Sequence, residues 1–87
     1  MAHAAGMLCT PHMSGSGLGY LDAAHFVSCI PNPVLFTEFK GNADIPVSSE
    51  TSSLKVEKGM VRVPSGPGFG ITIDPAFVRE AVQVKTI

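Results

Sequence analysis

Between Gly6 and Lys40 the chain reads as strand, helix, strand with short connections, and this pattern most constrains the fold. Met7 to Pro11 is a short apolar run bounded by Gly6 and a polar loop. Ser14-Gly15-Ser16-Gly17 is a flexible turn, and Leu18 to Cys29 reads as a helix ended by Pro31-Asn32-Pro33. Val34 to Phe39 is a second apolar run. Such a βαβ unit places its two strands parallel, with a right-handed crossover. Parallel sheets need cover on both faces. One helix and two strands cannot supply it, so further structure is expected beyond this unit.

The flanks fit this expectation. Met1 to Gly6 reads as the last turns of a helix, with Gly6 as its stop. A helix end without a helix start suggests an upstream part. After Lys40 the texture changes: Gly41 to Ser53 is polar and irregular, with Ser48 to Ser53 as a surface loop. Leu54 to Val56 and Met60 to Val63 are expected as short strands around Glu57-Lys58-Gly59. Pro64 to Gly70 is a Pro/Gly loop, and Ile71 to Ile73 is extended. Asp74 then caps a helix over Pro75 to Val82, with Pro75 at its first position.

Composition narrows the function. The chain is 45 % hydrophobic and 15 % charged, which argues against disorder. Its six Lys and Arg against seven Asp and Glu are scattered, so no basic patch for nucleic acid is expected. No run approaches a membrane span of about 20 apolar residues, and no signal peptide is evident. A cytoplasmic location is therefore expected. Cys9 and Cys29 lie in apolar runs and are expected as buried free thiols. Met1, Met7, Met13 and Met60 are expected to pack. The helix from Leu18, apolar almost all round, is expected to be covered on several sides.

Two residues stand where chemistry is expected. His12 follows the first strand, at the carboxyl end where α/β folds carry their sites. A neutral imidazole there can accept a proton near pH 7. Without a role it is a loop histidine. Glu38 ends the second strand, between aromatic neighbours Phe36 and Phe39, on the rim beside His12. Its plain alternative is an ion pair, with Lys40 in reach. Gly15-Ser16-Gly17-Leu18-Gly19 fails as a dinucleotide motif, because Tyr20 occupies the third glycine position. The helix N-terminus beyond Ser14 and Gly15 can still receive a substrate carboxylate or hydroxyl. His3 and His25 fit surface or packing positions, and the three histidines match no metal spacing.

Taken in order, Cys9-Thr10-Pro11-His12-Met13-Ser14-Gly15, Pro31-Asn32, Glu38-Phe39, Gly59-Met60-Val61-Arg62-Val63-Pro64, Pro67-Gly68-Phe69-Gly70-Ile71 and Asp74 resemble the C-terminal end of enolase-superfamily proteins. The similarity is to the mandelate racemase/muconate lactonizing enzyme type, in its acid-sugar dehydratase-like form, and covers nearly the whole chain.

The resemblance implies an α/β fold: the C-terminal part of a modified TIM barrel. Residues 1–40 would hold strand 7, helix 7 and strand 8, and residues 41–87 a tail returning toward a capping domain. His12 would be the general base and acid. Glu38 would hydrogen-bond a substrate carboxylate oxygen, with Ser14 and Gly15 as further substrate-binding residues. The reaction implied is abstraction of the proton α to a carboxylate, giving an enediolate stabilised by Mg²⁺. No metal ligand is expected within this chain, because the family's acidic ligands come from earlier strands. A sugar-acid dehydratase is the leading expectation, with a racemase or cycloisomerase as the alternative. The chain would be a C-terminal piece, inactive by itself and part of a homo-oligomer when complete. From another class, a small binding or interaction module remains the competing expectation.

Overall fold

The computed structural model describes residues 1–13, 17–39 and 45–82. A 3₁₀ turn over His3–Ala5 opens the chain and ends at Gly6, whose φ of 68° is the left-handed stop expected there. Helix α1 spans Leu18–Cys29. Strand β1, Val47–Ser48, pairs antiparallel with β2, Thr72–Ile73. Helix α2, Pro75–Glu80, closes the described fold.

The two apolar runs flanking α1 are parallel neighbours, as their connection requires, but they do not form continuous strands. Cys9 and Pro33 make a single parallel bridge. Cys9 N–H donates to Asn32 O at 2.8 Å, and Val34 N–H donates to Cys9 O at 3.3 Å. The next bond forward would need an N–H at residue 11, and Pro11 has none. The expected strands over Met7 to Pro11 and Val34 to Phe39 are thereby corrected to one bridge with extended arms.

Helix α1 forms over its expected span, yet it is poorly covered. Gly19, Tyr20 and Leu21 are its buried residues, while Phe26 is exposed. Tyr20 packs edge-on to Phe39, with ring centroids 6.3 Å apart. His25 Nε2 lies 3.1 Å from Phe69 O, and its ring packs on Phe69. The expectation of a helix covered on several sides does not hold within this chain. The methionine expectation also changes, because Met1, Met7 and Met60 are exposed. Both cysteines are free, but Cys9 is half-buried and Cys29 exposed rather than both buried.

The tail is held by hydroxyl groups rather than by ladders. Ser65 N–H donates to Thr51 Oγ1 at 2.8 Å, and Thr51 Oγ1 lies 3.2 Å from Ser65 O. Ser49 Oγ donates to Gly70 O at 2.9 Å, and Ser52 Oγ donates to Arg62 O at 2.5 Å. Short hydroxyl side chains compete well for nearby backbone groups. The serine-rich stretch is therefore a clamp, and its first residue, Ser48, pairs in β1 rather than forming only a surface loop. The hairpin expected across Leu54 to Val63 shrinks to one antiparallel bridge, Glu57 with Met60, around Lys58 and Gly59. Asp74 caps α2 as expected, accepting from Ala76 N–H at 2.8 Å. The helix stops at Glu80 instead of Val82, because Ala81 is already extended.

The accessible surface is 6869 Å², against about 4,900 Å² for a compact monomer of this length. The radius of gyration is 15.1 Å, against about 12 Å for a compact domain. Tyr20 and Leu21 are the only buried large apolar residues among those described. Leu35, Phe36 and Met60 all stand exposed, and they line an apolar groove of about 390 Å³ with Ala24, Val27 and Val61. Among the described residues, no helix is long and apolar enough to cross a membrane.

Two substitutions test the tail. Gly70 has φ of +67°, and a Cβ there would lie 2.6 Å from Ser65 O. Gly70→Ala is expected to destabilise the chain by about 1–3 kcal/mol, seen as a lower urea midpoint. Thr51→Val removes both bonds to Ser65 and leaves its N–H without that acceptor. The expected loss is about 1–2 kcal/mol, and an unchanged midpoint would refute the clamp.

Candidate functional site

His12 and Glu38 meet at the rim beyond the Cys9–Pro33 bridge. His12 Nε2 lies 3.4 Å from Glu38 Oε2. The two residues are far apart in sequence, and parallel pairing of their arms brings them together. Their side chains are 71 % and 46 % exposed, so this is an open edge, not a buried pocket. An ion pair at that exposure contributes at most about 1 kcal/mol. The pair does not hold the fold together; the fold holds the pair.

Each partner is carried by a distinct device. The arm bearing His12 runs on to Met13, whose side chain lies directly against Gly19 of α1. A Cβ at Gly19 would collide with it, so the glycine lets Met13 seat on the helix. Gly17 stands at the N-cap of α1 with φ of 65°, beside Ile45, and as a glycine supplies no side-chain cap itself. On the other arm, Phe39 packs on Tyr20 directly after Glu38. Glu38 thus stands next to a side chain anchored on the small core.

The expected site residues fare differently. The structure brings His12 and Glu38 into contact. Ser14 and Gly15 lie outside the described residues, as does Lys40, the alternative partner of Glu38. Sequence reasoning gave Asn32 no site role, using it as part of a helix stop and of the family resemblance. Its side-chain Nδ2 donates to Met7 O at 2.7 Å, tying the two arms beside the bridge. The available signal was an amide between two prolines, Pro31 and Pro33, where backbone donors are scarce.

The donor set does not suit a resident Mg²⁺. Magnesium prefers near-octahedral oxygen coordination, and the rim offers one carboxylate and one imidazole. Among the described residues, no group of three His, Cys, Asp or Glu side chains could hold a metal ion. The arrangement can instead exchange a proton at the imidazole and make a hydrogen bond at the carboxyl group.

No curated protein and no solved structure matches the chain. The family described as "Enolase C-terminal domain-like" matches residues 1–77, most of its length. Members of this superfamily carry an α/β barrel-type domain, generally use Mg²⁺, and are enzymes of the proton-abstracting kind. Parallel arms flanking a helix agree with that fold class, and the chain belongs to the enolase C-terminal domain-like family, in its mandelate racemase and muconate lactonizing branch.

Proposed function

We propose that this chain supplies the acid/base edge of an enzyme that abstracts the proton α to a carboxylate, acting on a sugar acid as a dehydratase. The observation that carries this reading is the His12–Glu38 contact at 3.4 Å on an open rim, in a chain of this family. Residues 1–40 are assigned to the end of the barrel and residues 41–87 to a tail.

The chemistry assigned to each group follows from its atoms. Neutral His12 takes the α-proton of the substrate. The resulting imidazolium then returns that proton to the β-hydroxyl as the β-carbon–oxygen bond breaks, and water leaves. The enol product tautomerises to a 2-keto acid. One group thus serves as base and then as acid. Glu38 is assigned to a substrate carboxylate oxygen. Two carboxylates can share a hydrogen bond only if one of them carries a proton. Ser14 and Gly15, before α1 in the sequence, are assigned to the substrate's hydroxyl or carboxylate.

The metal would be held by acidic side chains outside this chain, since the rim offers a poor set of Mg²⁺ ligands. The 87 residues alone are therefore assigned no turnover. The exposed apolar groove agrees with a unit that packs against further barrel structure, because monomeric proteins rarely leave large apolar patches open.

Two measurements test the reading. The purified chain, given Mg²⁺ and a panel of sugar acids in D₂O, should show neither α-deuteration nor 2-keto acid; turnover would refute the assignment of missing ligands. Grafted in place of the matching segment of a dehydratase of this superfamily, the chain should restore 2-keto acid formation. His12→Gln should then lower kcat by about 10²–10⁴-fold, and retained activity would remove His12 from its role. Deuterium at the α-carbon with all hydroxyl groups kept would favour a racemase instead.

A further inference from the structure

We propose, resting on the acid/base reading of His12 and Glu38, that Asn32 is a positioning residue whose side-chain amide sets the register bringing those two groups together. The bonding pattern at the bridge supports this. In a parallel ladder that pairs Cys9 with Pro33, the bond preceding Cys9 runs from the residue-32 N–H to Met7 O. Here Met7 O instead accepts from the Asn32 side-chain Nδ2, at 2.7 Å. The side chain takes the place of a backbone donor.

The substitution matters because little else pins the register. Pro11 cannot donate ahead of the bridge, and Pro31 and Pro33 on either side of Asn32 have no N–H. Among the described residues, the two arms are joined by two backbone bonds, this amide and the exposed His12–Glu38 contact itself. A slip of one residue moves a strand side chain about 3.3 Å and turns it to the opposite face. That displacement is as large as the 3.4 Å separation of His12 Nε2 and Glu38 Oε2. A donor at residue 32 is thus coupled to a contact formed several residues farther along both arms. Asn suits the position, because its amide reaches sideways while its own carbonyl still accepts from Cys9.

The test reads the site's geometry in the full chain, so failure of the dehydratase reading leaves it interpretable. The probe is the ¹³C shift of the Glu38 carboxyl group and its response to His12→Gln. In the native background a clear response is expected. In Asn32→Ala it should fall several-fold. Thr51→Ala loses hydrogen bonds in the tail and should keep the native response, which separates positioning from general loosening. If Asn32→Ala does not fold, Asn32→Gln keeps the amide on a longer arm and should still reduce the response. An undiminished response in the Asn32 variants, an equal loss in Thr51→Ala, or no response in the native chain would overturn the proposal.

Discussion

The parallel bridge between Cys9 and Pro33 is the contact on which the candidate site depends. Two non-adjacent segments meet there, with α1 in the chain between them. Prolines bound the bridge: Pro11 removes the next donor ahead, while Pro31 and Pro33 remove donors around Asn32. A longer ladder would fix register by repetition. This one is fixed by two backbone bonds and a side-chain amide. Among the described residues no further backbone bond pairs the arms beyond the bridge, and His12 and Glu38 stand on an open rim.

The rest of the chain is organised on similar economy. The tail from Ser49 to Gly70 closes on itself through hydroxyl-to-backbone bonds, with the left-handed Gly70 allowing the chain to pass close to Ser65. The only regular sheet among the described residues has two residues per strand. His25 and Phe69 join this tail to α1. Polar bonds set local geometry here, but each contributes only about 1 kcal/mol net. They do not replace the buried apolar area that stabilises a domain.

That area is scarce within the chain. The exposed surface exceeds that of a compact monomer by about 2,000 Å², and Phe26, Leu35, Phe36, Val56 and Met60 present apolar side chains outward. The same residues that give the sequence its high hydrophobic content therefore look like core residues awaiting cover. Membership of a barrel-type family gives that surface a physical context: strands and helices of a barrel bury their apolar faces against neighbouring units.

What the sequence determined by itself is local. α1 was legible to the residue because a helix-forming run sits between a glycine turn and a proline pair. Gly6 as a left-handed stop and Asp74 as a cap followed from backbone sterics and hydrogen-bond reach. The proximity of His12 and Glu38 was also legible, since a short βαβ connection brings the carboxyl ends of its strands to one rim. Strand lengths, by contrast, were overestimated, because apolar runs report affinity for a core and not whether a neighbour supplies the donors. The role of the serine-rich tail was hidden for the same reason: hydroxyl groups choose their carbonyls only after the chain has folded back. The burial of Cys29, Phe26 and Met60 was misjudged because hydrophobicity says what should be covered. Only the tertiary structure decides what covers it, since burial depends on the neighbours that the fold brings within contact.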